Sequence, residues 1–201
     1  MRAKTEAKRQ AILKAAAEVF RELGFERASM SDIRARIGGS KATLYNYFTS
    51  KESLFFEVMH EAKGSELKSI AGALNPDAED LKQELLRFGQ KFLTVLYSPE
   101  AIAVRRLAIA EAEHSDVGRA SFERANLPIE KQVAEFLKKE MKRGALRTAD
   151  AKIAAIHLLS LLESELLQRV LLGVLGAVKP EALHAAVRRA VDVFLLAYGR
   201  R

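Results

Sequence analysis

The chain has 201 residues and no cysteine, enough for a DNA-reading module of about 50 residues plus one domain with its own core, and excluding disulfides and thiolate chemistry. Its net charge of +7 is unevenly placed, because residues 1–51 hold 11 Lys/Arg against 5 Asp/Glu while residues 52–201 hold 22 against 21. A basic first quarter on a nearly neutral body implies that one part meets a polyanion. No apolar run approaches the roughly 18 residues of a membrane span, and the opening Met-Arg-Ala-Lys-Thr-Glu lacks the apolar core of a signal peptide. The expectation is a soluble, cytoplasmic protein with no membrane partner.

Between Thr5 and Leu23, Ile12, Ala16, Val19, Phe20 and Leu23 recur at helical spacing, and Gly24 is the expected stop. Ser29 with Asp32 three residues on is a capping-box pair, predicting a second helix that sends Met30, Ile33 and Ile37 inward. Gly38-Gly39 then supplies a tight turn, and Ser40 caps a short third helix. Thr49 and Glu52 are expected to cap a fourth, carrying Leu54, Phe55, Val58 and Met59. Asn75-Pro76-Asp77 breaks the pattern, and Leu81 to Leu96 restores it with Leu85, Phe88, Phe92 and Leu96 along one face.

After Ser98-Pro99, helical segments are predicted over about 100–113, 116–125 and 128–143. Pro128 suits a first turn or a kink, and Gly144 a C-cap. A long apolar helix from about Ala149 to Leu175 and a last one from Pro180 to about Tyr198 complete the chain. Nothing reads as a strand. The predicted fold class is all-α, about nine helices in total, opening with a three-helix helix-turn-helix domain (turn motif at about 29–48).

Leu44 and Phe48, four apart, form the buried heel of the third helix, which leaves Lys41, Thr43, Tyr45, Asn46 and Tyr47 to spread over its remaining surface. Tyr and Thr hydroxyls donate to phosphate oxygens, a Thr methyl or an aromatic ring meets a thymine methyl, and Lys binds guanine acceptors or phosphate. Lys51 adds a cation at the start of the next helix, whose N-terminus also attracts phosphate. A small bundle with a solvated basic face is the bland alternative. The caps, the turn and the aromatic placement together favour DNA reading.

Residues 6–66 resemble the DNA-binding domain of TetR-type transcriptional regulators, above all in Ser-Lys-Ala-Thr-Leu-Tyr-Asn-Tyr-Phe-Thr-Ser-Lys-Glu at 40–52. The run at 11–20, Gly24-Phe25 and Ser31-Asp32-Ile33 also fit. The resemblance implies that Ser40, Lys41, Thr43, Tyr45, Asn46 and Tyr47 face a double-stranded operator and that Lys51 holds its backbone. Arg34 and Arg36 stand where the family has small or variable residues and are candidates for added phosphate contacts, while Gly39 replaces a usual Val. Arg105-Arg106-Leu-Ala-Ile-Ala-Glu-Ala-Glu113 and Gly144-Ala-Leu146 are similar to a subgroup with an AefR-like C-terminal domain.

The resemblance further implies two domains: residues 1–66 for DNA, and residues 67–201, helical, for dimerisation and a small molecule. A physical reading agrees, since the 149–175 helix is apolar nearly all round and needs more than one partner face. Leu162 and Leu166 with Val187, Val191, Phe194 and Tyr198 are the expected homodimer interface. The polar line His157, Ser160, Ser164 and Gln168 either binds an effector or pairs across the dimer axis. With Phe88, Phe92 and Arg105 it makes up the candidate site for an apolar or amphipathic effector, although Arg105 and Arg106 equally suit pairing with Glu111, Glu113 or Asp116, and both phenylalanines suit the core.

No phosphate loop, paired-histidine metal motif or nucleophile elbow is present. No catalytic residue, metal ligand or cofactor is expected, and Glu111, Glu113 and His114 read as a salt-bridged surface. The expected protein is therefore a homodimeric repressor released from a palindromic operator by a small molecule. A dimeric regulator without an effector and a non-specific DNA-packing protein are the competing readings.

Overall fold

The computed structural model describes residues 5–38, 40–72, 74–75 and 78–200, with the side chains of 63–69 and 71 left aside. Gly39 and Pro76-Asp77 lie outside the described residues. The described residues form helices joined by turns, with one isolated bridge between Leu146 and Gly199. By contact the chain divides into two units, one made of residues 1–64 and 107–118 and the other of 65–106 and 119–201.

The first unit opens with α1 (Glu6–Arg27), capped by Thr5, whose side chain accepts from Lys8 N. Gly24 takes φ +75° inside it, so the expected stop is a sharp kink after which the chain turns once more. Next come α2 (Met30–Ile37) and α3 (Lys41–Tyr47), then α4 (Lys51–Ala71), which begins in this unit. Phe20, Phe25 and Phe55 cluster with centroids 4.7–6.0 Å apart, and Ile12, Ala16, Leu44 and Leu54 of the same unit are buried. Arg9 to Glu57 and Gln10 to Glu61 tie α1 to α4. The cap of α4 is Ser50, whose Oγ accepts from Ser53 N at 3.0 Å, so the expected Thr49 cap is one residue too early.

In the second unit α5 (Leu81–Leu96), α8 (Leu127–Arg143), α9 (Ala151–Glu163) and α11 (Pro180–Tyr198) enclose the core. Phe88, Leu137, Leu158, Val187 and Phe194 are fully buried, each contributing roughly 1.5–3 kcal/mol by area. Gly89 lets α5 approach α9 and α11 closely, since a Cβ there would lie 2.7 Å from Val187 and 2.8 Å from Leu162.

In chain order α5 is followed by α6 (Pro99–Ala110), α7 (Val117–Ser121) and a π-helical turn at Phe122–Asn126 before α8. Pro128 has no N–H to give, and the chain stays helical ahead of it by widening, with Leu127 N donating to Phe122 O. The long helix expected over 149–175 is two: α9 stops at Glu163 and α10 covers Leu167–Leu171. The second stop is at Gly173, which takes φ +72° and lets Val174 N and Leu175 N donate back to Arg169 O, while the Arg106 guanidinium binds the Val170 and Leu171 carbonyls left at the end of α10.

Candidate nucleic-acid interface

Ser29 and Asp32 form the expected capping box of α2, with Ser29 Oγ accepting from Asp32 N and the Asp32 carboxylate accepting from Ser29 N and Oγ. These bonds from Ser29 hold Asp32 below its ordinary pKa. Gly38 ends α2 at φ +64°, a conformation that suits glycine. Ser40 then caps α3, accepting from Thr43 N at 3.1 Å and sharing a 2.9 Å hydrogen bond with the Thr43 hydroxyl.

Leu44 and Phe48 are buried as expected, which fixes the rotation of α3. Ser40, Lys41, Tyr45 and Asn46 are exposed, and Thr43 and Tyr47 half-buried. Lys41 Nζ lies 5.6 Å from the centroid of the Tyr45 ring, joining cation and aromatic surface into one patch. The Tyr47 hydroxyl accepts from Thr5 N at 2.8 Å, so this side chain also pins the start of α1 against α3.

Two basic residues have fates that spacing alone does not distinguish. Arg36 is bidentate to Glu22 in α1 at 2.6–2.7 Å, which raises its own pKa and lowers that of Glu22. Arg34, two residues earlier and so on another side of α2, is exposed and makes no ion pair among the described residues. Lys51 is half-buried: its Nζ donates to Phe25 O at 2.8 Å and Glu26 O at 3.4 Å and sits 4.2 Å above the Phe25 ring. Its ammonium thus closes the end of α1.

Residues 12–58 match the family described as bacterial regulatory proteins, tetR family, and residues 83–200 match the AefR-like transcriptional repressor C-terminal domain. The chain belongs to the TetR family. It is a DNA-binding transcriptional regulator of that family, with an AefR-like C-terminal domain. The HTH-type transcriptional regulator YvdT of Bacillus subtilis is 37% identical over 75 residues, a match that spans 37% of this chain and 39% of YvdT. A TetR-family regulator from Mesorhizobium loti superposes with a TM-score of 0.81 at 28% identity, covering 98% of this chain and 100% of that one. The flavonoid-responsive regulator FrrA does so at 0.71, with the same identity and coverage.

In this TetR-family chain the residues expected at the dimer interface lie inside the protomer. Leu162, Leu166, Val187, Val191, Phe194 and Tyr198 are all buried in the chain's own structure, so they are not surface available to a second copy. The outward faces of the same helices carry Ile153 and Ile156 on α9 and Val193 and Leu196 on α11, exposed by 47, 42, 49 and 82%. Helical phase explains the correction: the core claims the richest apolar face, and the next face is left outside.

The expected polar line starts on the outward face of α9 with His157 and Ser160, continues at its cap Ser164 and ends on α10 with Gln168. His157, Ser160, Ser164 and Gln168 are exposed. His157 Nδ1 shares a 2.6 Å hydrogen bond with the Tyr198 hydroxyl, and Ser164 Oγ donates to Leu161 O. Phe88 and Phe92 stack 5.7 Å apart within the core. Arg105 pairs with Glu163 rather than with Glu111, Glu113 or Asp116, and Arg106 holds carbonyls. Tyr97, at the end of α5, has a buried hydroxyl with no hydrogen bond among the described residues. Its place beside Ser98-Pro99, where a helix must end, is the signal of this group in the sequence. Among the described residues no helix is long and apolar enough to cross a membrane, and no group of three or more His, Cys, Asp or Glu side chains clusters to hold a metal.

Proposed function

We propose that this TetR-family regulator is a cytoplasmic homodimeric repressor that places two copies of α3 in successive major grooves of a palindromic operator and leaves it on binding a small molecule. Residues 1–66 serve as the DNA-binding domain and 67–201 as the effector-binding and dimerisation domain. The observation that carries this reading is α3 itself, seven residues with Lys41, Tyr45 and Asn46 exposed over a buried Leu44 heel. Those three side chains read base edges. Ser40, Thr43 and Tyr47 hold the helix in register and meet phosphates, Arg34 adds a phosphate contact, and Lys51 offers the backbone the donor it does not spend on Phe25 and Glu26.

A second copy covers Ile153, Ile156, Val193 and Leu196, with His157 and Ser160 among them. Twofold pairing of these helices sets the two α3 helices about one helical turn of DNA apart. The effector is apolar or amphipathic, and the similarity to the flavonoid-responsive regulator FrrA supports an aromatic one. Selection of bound fragments from the parent genome, with light scattering of the free protein, tests the reading. A palindromic consensus bound by a dimer is expected; a monomer, or equal affinity for operator and scrambled duplex at fixed salt, refutes it.

A further inference from the structure

Tyr97 closes α5 as its C-cap, and its ring packs against the core of the second unit. Its hydroxyl oxygen is out of contact with solvent and has no hydrogen-bond partner among the described residues. A buried donor left unmade is costly, and such groups are rare enough in folded proteins to call for an explanation. Within electrostatic reach of it lies an ion pair of the same unit: Arg105 Nη1 on α6 holds Glu163 Oε2 at the last residue of α9, with side chains only 24% and 13% exposed. A pair so removed from water is poor evidence of stability, because desolvation offsets much of the attraction. Both members of the pair act electrostatically on the Tyr97 phenol, so polar groups from three different helices share one neighbourhood of a largely apolar bundle.

We propose that the Tyr97 hydroxyl and the Arg105–Glu163 pair form the polar end of the effector site, which selects an uncharged, mostly apolar molecule carrying a carbonyl oxygen and a hydroxyl. The inference rests on the ligand-responsive reading above. The phenol supplies a donor for the carbonyl. Burial, with the Glu163 carboxylate adding to its effect and Arg105 opposing, pushes the Tyr97 phenol above its ordinary pKa, so it stays protonated. Arg105 has further N–H groups beyond the one it gives Glu163, and Glu163 keeps Oε1 as an acceptor for a ligand hydroxyl. The three groups sum to zero charge. An anionic ligand would compete for Arg105 and strand the Glu163 carboxylate in an enclosed place, the costly way to break such a pair.

Calorimetric titration of the full-length protein with three probes of one shape tests this: hydroxybenzophenone, its carboxylate counterpart benzoylbenzoate, and diphenylmethane. Wild type should bind hydroxybenzophenone tightest. Tyr97→Phe should weaken that probe about tenfold, the worth of one buried hydrogen bond, and leave diphenylmethane unchanged. Because no protein hydrogen bond is lost, the ligand-free variant should melt at or above the wild-type temperature. Glu163→Gln should narrow the preference for hydroxybenzophenone over benzoylbenzoate. Wild type binding none of the three, benzoylbenzoate binding tightest, or an unaltered affinity in Tyr97→Phe overturns the proposal. The expected binding pattern with unchanged operator affinity upholds the site and removes the release reading. Operator release by hydroxybenzophenone that persists undiminished in Tyr97→Phe upholds ligand response and removes this site.

Discussion

The short α3 and the long α9–α11 pair answer the same question differently: which side of a helix faces in. On α3, Leu44 is buried and Phe48 follows it into the core, so rotation is settled and Lys41, Tyr45 and Asn46 must point outward. On α9 and α11 apolar residues occupy more than one face, and hydrophobicity ranks the faces without saying which one stays outside. Amphipathic contrast, rather than apolar content, is what makes orientation legible.

Phe194→Ala breaks the comparison hardest. As a fully buried core residue it should cost about 3–5 kcal/mol in denaturant unfolding, whereas a residue serving only a subunit interface would chiefly change the monomer–dimer equilibrium. Gly89→Ala comes next. Its Cβ meets Val187 and Leu162 under 3 Å away, and overpacking of this kind costs about 1–3 kcal/mol, read as a lower melting midpoint.

On the α3 side, Tyr45→Ala should remove about 1–3 kcal/mol of preference for the selected operator over scrambled DNA while leaving the melting curve in place, because Tyr45 is exposed. Lys51→Ala should act on both quantities. Loss of its bonds to Phe25 and Glu26 should lower stability by about 1 kcal/mol, and affinity for every duplex should fall together. A Lys51→Ala protein with unaltered stability would mean that the ammonium does not close α1.

The smallest effect is acid sensitivity. Ser29 holds Asp32, Arg36 holds Glu22 and Arg189 holds Glu165 below their ordinary pKa values. A depressed folded pKa contributes stability that is complete above the unfolded value, about 4 for carboxylates, and lost as pH falls through the lower folded value. Melting midpoints should therefore be flat across neutral pH and fall below about pH 4. Asp32→Asn and Glu22→Gln should blunt that fall.

The features legible in the sequence were those with local causes. The Ser29–Asp32 box, the turn after Ile37, the Ser40 cap and the Leu44–Phe48 heel each depend on residues within four positions, and each stands where it was expected. The cap of α4 slipped from Ser50 to Thr49 because either side chain could serve and the choice rests on one residue of helix start. What the reading missed depends on distant partners. Arg36 is occupied by Glu22 and Arg34 is not, Arg105 finds Glu163 58 residues away, and Arg106 holds the carbonyls at the end of α10 from another helix. The break after Glu163 has no Gly or Pro to announce it.

The most direct test of the central claim, that the outer face of α3 reads sequence, is the affinity of the wild type and of Lys41→Ala/Tyr45→Ala for the selected operator and a scrambled duplex at one salt concentration. Wild type should favour the operator by about a thousandfold or more, and the double variant should lose most of that ratio while keeping its affinity for scrambled DNA within about tenfold. A wild-type ratio near one, or a ratio untouched by both substitutions, would contradict the account.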